Sequence, residues 1–117
     1  MNEKTSDEDI INKSVLDFFQ AAKEYWRFID QADSRSANRQ HAIMKNSYRK
    51  LSETEQRNRI LSRLQDPDPE IALAVASHCI QLDSINCLVE LQKIEAMTIP
   101  PAAAARILVD LWSAGRL

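Results

Sequence analysis

Two histidines, two cysteines and a run of acids are the residues of this 117-residue chain whose chemistry could amount to catalysis or metal binding. His78 carries the ring of a general base, but such a base wants a carboxylate or nucleophile beside it. None stands at helical spacing from it. The pattern points instead to a buried or half-buried neutral imidazole bonded to a backbone carbonyl. His41 falls at the edge of an apolar stripe. Cys79 and Cys87 fit no zinc or redox spacing, and both lie among apolar neighbours, where a thiol behaves as a small hydrophobe. Without an HxxxH or CxxC spacing, no metal is indicated. Asp66, Asp68 and Glu70 resemble paired carboxylates, yet their place at a helix start explains them as caps and dipole partners. No catalytic, cofactor-binding or metal-ligating set emerges, so a non-enzymatic protein without a cofactor is expected.

Charge offers more than reactivity does. Residues 35–63 hold 8 bases and 2 acids, residues 1–34 hold 8 acids and 4 bases, and residues 64–117 hold 7 acids and 3 bases. A basic middle third therefore lies between two acidic ones. Either the basic helices pair with acidic neighbours, or the sign contrast steers a partner onto an exposed surface. Arg39, Arg49 and Lys50, with Ile43 among them, are the residues a partner would meet in the second case. Ile10 and Phe28, on one flank of the first helix, are the matching apolar candidates, since apolar residues clustered with arginines have the composition of an interface hot spot. Arg57 is a further candidate. Its spacing sets it beside Ile60, Leu61 and Leu64, where its stem either packs and lets the head snorkel, or offers the guanidinium into a groove. Asn38 either bonds a neighbouring helix or is an exposed amide.

The elements that must position these residues are helices. One glycine and four prolines are too few for the tight turns of a β-rich chain, and good helix formers dominate. The spacing predicts about six helices. The first covers Asp7–Asp30, capped by Thr5 or Ser6, with Ile11, Val15, Phe18, Ala22, Trp26 and Ile29 inward. The second covers Ser36–Leu51, with Ala37, His41, Met44, Tyr48 and Leu51 inward. "SETE" at Ser52 reads as a capping box opening the third. "DPDPE" then breaks the chain at Pro67 and restarts it at Pro69, ahead of a helix from Ile71 to Leu82 that is apolar on most sides and so buried on most sides. Ser84 opens the fifth, with Ile85, Leu88, Leu91 and Ile94 inward. Thr98 and the "IPP" prolines open the sixth, with Ala104, Ile107, Leu108 and Leu111 inward and Gly115 as its stop. Short links make neighbours antiparallel. The expected organisation is a disordered tail over residues 1–6 and a single domain over 7–117.

Ile60–Leu82 resembles a HEAT repeat: leucines closing one helix, a "DPDPE" turn, then an alanine-rich apolar helix. It departs at Ala72, where HEAT repeats commonly carry an arginine. Over residues 8–116, "ANRQHAIM", "LQDPDPEIALAVA" and "ILVDLWSAGRL" make the chain similar to a small bacterial family catalogued as a domain of unknown function with a HEAT-like fold. That resemblance implies an all-α chain of about six antiparallel helices in a short HEAT-like α-α superhelical stack. It also implies a non-enzymatic module. By analogy, small bacterial families of this kind often serve as immunity proteins that neutralise a cognate toxin.

The functional expectation is therefore a protein-binding module, most concretely an immunity-type inhibitor. Nucleic-acid binding through residues 35–63 is the alternative, disfavoured by the net charge of −2 and the scarcity of free aromatics. The polar, acidic opening "MNEKTSDEDI" is unlike a signal peptide, and no apolar run reaches membrane-spanning length. A reduced cytoplasmic protein, monomeric or weakly homo-oligomeric and away from membranes, is expected.

Overall fold

The computed structural model describes the backbone of residues 3–117 and the side chains of residues 7–117. Their regular structure is entirely α-helical: α1 (Glu3–Asp30), α2 (Ser34–Lys50), α3 (Thr54–Leu61), α4 (Pro69–Cys79), α5 (Ser84–Glu95) and α6 (Pro101–Ser113). This is the all-α chain of six helices that the spacing predicts. Within the stretch expected as one domain, two compact units are distinguished, residues 1–59 and 60–117.

In the first unit α1 and α2 form a hairpin. α1 begins at Glu3, upstream of the expected Asp7, so the helical backbone already includes Thr5 and Ser6. The side chains of both, with the rest of the tail expected over residues 1–6, lie outside the described ones. Phe18, Ala22 and Trp26 recur every fourth residue of α1 and are buried, with Ser14, Phe19 and Ala21 beside them. From α2 come Ala37, Met44 and Ser47, with Leu51 just past its end. Alanines at 21, 22 and 37 let the two backbones approach. Phe18 meets Phe19 edge-to-face at 5.3 Å between ring centres, and burying such a ring stabilises by roughly 1.5–3 kcal/mol. His41 is exposed and not at the core edge. Its ring stands 6.3 Å from that of Tyr25, and the small hydroxyl of Ser47 takes the inward place. Asn38 is exposed. Ile29, expected inward, is 38% exposed in the last turn of α1.

The turn of the hairpin is built by local chemistry. Ala32 N–H donates to Ile29 O at 3.0 Å and Asp33 N–H to Phe28 O at 2.9 Å. These are the two bonds of a Schellman motif, with Ala32 at its left-handed position, φ +56°. Asp33 then caps α2, its carboxylate accepting from Ser36 N–H at 3.1 Å. That bond, first the backbone N–H and then the Ser36 hydroxyl, holds the Asp33 carboxyl below its ordinary pKa. The cap stands three residues ahead of the expected Ser36 start.

α3 starts later than "SETE" suggests. No side-chain cap forms at Ser52. Instead Glu53 precedes the helix, and the Gln56 side chain reaches back to accept from its N–H at 3.4 Å. This is half of a capping box, shifted one residue along.

In the second unit the "DPDPE" punctuation works as read. Asp66 accepts from Asp68 N–H at 2.9 Å, Asp68 accepts from Glu70 N–H at 3.0 Å, and Pro69 opens α4. Every residue from Ile71 to Ala76 is buried, as is Cys79. Burial of the Cys87 thiol, and secondarily Cys79 and Asp83 nearby, pushes its pKa up to about 12. α5 packs against α4 and α6. It is capped by Asp83, one residue before the expected Ser84. Its inward line is Cys87, Glu90, Leu91 and Ile94, and the buried Glu90 takes Lys93 Nζ at 3.3 Å. Ile85, expected inward, is 76% exposed. It stands two residues from Cys87, and two residues of helix is about 200° of rotation. The same geometry corrects Ile107, 59% exposed and two residues from buried Ala105. Thr98 forms no cap on α6, whose start is fixed by Pro100 and Pro101. Gly115, φ +69°, ends α6 in a second Schellman motif, with Gly115 N–H on Trp112 O and Arg116 N–H on Leu111 O.

Candidate functional site

α2 divides its residues sharply. Ala37, Met44 and Ser47 face inward, and on the opposite side Arg35, Arg39, Ala42, Asn46, Arg49 and Lys50 fall within one arc at about 100° per residue. Lys45 flanks that arc. All seven are exposed. Among the described residues none of Arg35, Arg39, Lys45, Arg49 and Lys50 forms an ion pair.

This face is not one a helix adopts for its own stability. Arg35/Arg39 and Lys45/Arg49 are like-charged pairs four residues apart, each costing a few tenths of a kcal/mol. Arg49 and Lys50 sit in the last turn, where the helix dipole favours cations. Arg35 sits in the first turn, where the dipole opposes it and no acid of the helix offsets it. Asp33, just ahead of α2, lies close enough to Arg39 for the guanidinium to help hold its carboxyl charged.

The rest of the basic segment is engaged inside the chain. Arg59 holds Glu8 at 3.2 Å and Asn12 Oδ1 at 2.8 Å. Arg63 grips Asp66 at 2.7 Å. Arg57, half-buried, donates through Nε to Leu51 O and lies over the Tyr48 ring at 4.8 Å. Its guanidinium clamps the corner between α2 and α3, which gives Arg57 a structural role. Pairing within the chain accounts for Arg59 and Arg63, in α3 and the turn after it, while the α2 cations are exposed.

Beside the cationic face runs an open groove of about 620 Å3 between α1 and α2. Phe28 and Ala21 from α1 and Ile43 from α2 supply its apolar lining, with the Gln20 and Gln40 amides, Asp17, Glu24 and Arg27. The acids of the α1 wall are paired, Asp17 with Lys13 at 2.8 Å and Glu24 with Arg27. Arg27 also lies over the Phe28 ring, 4.6 Å from its centre. Ile43 is 37% exposed and borders both the groove and the cationic arc.

The structure thus brings Phe28 and Ile43 together and sets Arg39, Arg49 and Lys50 on the adjoining face. Ile10 does not join them. It shares the angular position of Phe28 but lies 18 residues away, about 27 Å along the helix. Arg35, which the sequence reading passed over, belongs to the face, and its i−4 spacing from Arg39 was the available signal. Arg27 also belongs to the groove, and its stacking on Phe28 depends on rotamers that spacing does not reveal.

The reactive residues are placed as structural groups. His78 Nδ1 donates to Ala74 O at 2.9 Å, in company with the Ser77 hydroxyl. Cys79 and Cys87 are buried and form no disulfide. Among the described residues no three His, Cys, Asp or Glu side chains gather as metal ligands, and no helix is long and apolar enough to cross a membrane.

No protein-family model matches the chain, and no curated protein does. Among solved structures, the crystal structure of the protein RPA1889 from Rhodopseudomonas palustris CGA009 is similar, with TM-score 0.82 at 20% identity over 92% of this chain and 91% of that one. At that identity the likeness shows a shared all-α fold.

Proposed function

We propose that this chain is a non-enzymatic protein-binding module that meets its partner through the outer face of α2, and that its most concrete form is an immunity-type inhibitor of a cognate bacterial toxin in the cytoplasm. The observation that carries the reading is the set of five exposed α2 cations, none in an ion pair among the described residues, with like charges set four residues apart at a cost to the helix. Such a face raises the rate of encounter with an acidic surface. Rigid helices meet it with little ordering cost. The resemblance to small bacterial HEAT-like families supports the inhibitor form by analogy.

The test is capture with tagged protein, using the products of adjacent genes as bait. One stoichiometric partner, toxic when expressed alone and released by Arg39→Glu with Lys50→Glu, is the expected result. A partner whose binding ignores both charge reversals would sink the reading.

The same five cations favour a second reading, nucleic-acid binding. It predicts affinity that falls steeply with salt, in proportion to the phosphates contacted.

A further inference from the structure

We infer that the groove between α1 and α2 receives an apolar side chain from an acidic segment of the partner protein, whose carboxylates lie along Arg35, Arg39 and Lys50. The inference rests on the protein-binding reading and narrows it to one ligand chemistry.

Three observations converge on it. The first is continuity. Ile43 belongs to the groove lining and borders the cationic arc, so a single ligand segment touches apolar and charged surface at once. The second is extent. Arg35 to Lys50 spans 15 residues, about 22 Å of helix. That is about four turns of a partner helix, or about seven residues of extended chain.

The third separates a peptide from a nucleic acid. Single-stranded nucleic acid gains much of its affinity from bases stacked on free aromatic faces. In this groove one face of Phe28 is already covered by the Arg27 guanidinium. An aliphatic or aromatic side chain needs no free ring face. It packs between Ile43 and Phe28 while acids on its own segment reach the α2 cations. Apolar contact ringed by arginines is the arrangement in which interface energy concentrates.

The test uses a phage-displayed dodecapeptide library on the immobilised full chain, with a thymidine dodecamer as the nucleic-acid probe. Enriched peptides are expected to carry net negative charge and at least one large apolar residue. Their affinity is expected to fall about tenfold or more with Ile43→Ser, and likewise with Arg39→Glu plus Lys50→Glu. Ile85→Ser in the second unit is expected to leave it unchanged. These are exposed positions, so circular dichroism checks that each variant folds. Peptides without acids, peptides indifferent to both groove and charge variants, or no enrichment at all would overturn the inference while leaving the broader protein-binding reading to its own capture test. If the thymidine dodecamer binds more tightly than any peptide and is released by raised salt, both readings fall.

Discussion

Replacing Ala32 by glycine is expected to stabilise the hairpin that carries the candidate site. Ala32 is held at φ +56° by the two hydrogen bonds that close the turn. That left-handed conformation brings a Cβ too close to the following carbonyl, at a cost of roughly 1–2 kcal/mol. Glycine has no Cβ and avoids the cost, although its freer unfolded chain takes back about 0.5–1 kcal/mol. The Ala32 methyl is exposed, so little packing is lost with it. The balance is a gain of about 0.5–1 kcal/mol, or a rise in Tm of roughly 2–6 °C for a chain of this size. Urea titration followed by far-UV circular dichroism measures it, with an unchanged slope confirming that the folded and unfolded states are otherwise alike. Gly115 is the converse case. It has φ +69° and nothing within 4 Å of where a Cβ would stand. Gly115→Ala should therefore lose about 1 kcal/mol through backbone strain alone, seen as faster amide exchange in the last turn of α6. A lower urea midpoint for Ala32→Gly would refute the reasoning, because it would mean that chain entropy outweighs the strain at this turn.

Four further outcomes follow from the geometry. Leu91→Ala removes a wholly buried side chain and should cost about 2–5 kcal/mol, whereas exposed Ile85→Ser should stay within about 0.5 kcal/mol; equal effects in thermal denaturation would reverse the assigned face of α5. The Asp33 carboxyl has a lowered pKa in the folded chain, so its contribution is complete above the ordinary aspartate pKa of about 4 and disappears as pH falls through the lower folded value. Asp33→Asn keeps the capping oxygen and should flatten that acid-side slope in denaturation at stepped pH. Arg57→Ala loses the bond to Leu51 O and the stacking on Tyr48, and should destabilise by about 1–3 kcal/mol without changing affinity for a captured partner; a binding defect in a folded variant would restore Arg57 to the interface. Finally, Cys87, buried and with its pKa raised to about 12, should resist thiol reagents at neutral pH until denaturant is added, and labelling of the native protein within minutes would contradict its burial.

Helix edges were legible in advance wherever one residue type acts within one turn. Asp66 and Asp68 cap, Pro69 starts a helix and Gly115 stops one, as read. Prediction slipped by one residue where two neighbours could each cap, as at Ser52/Glu53 and Asp83/Ser84, and by three at the start of α2, where Asp33 caps. Part of the candidate site was legible too. Arg39, Arg49, Lys50 and Ile43 share a face because helical rotation puts them there, and that follows from numbering alone. The groove was not legible, since it exists only where α1 and α2 lie side by side.

The sequence by itself determined that the chain is helical, where its helices break, and that its basic charge falls in the middle third. Those properties are local, set by propensity, caps and prolines acting over a few residues. Tertiary structure alone decided which flank of each helix is buried. A helix with apolar residues on several sides has more than one possible inward face, and only its neighbours choose between them. That choice turned Ile85 and Ile107 outward and brought Phe28 to Ile43. It also folded Arg57 onto Tyr48 while leaving the five cations of α2 exposed.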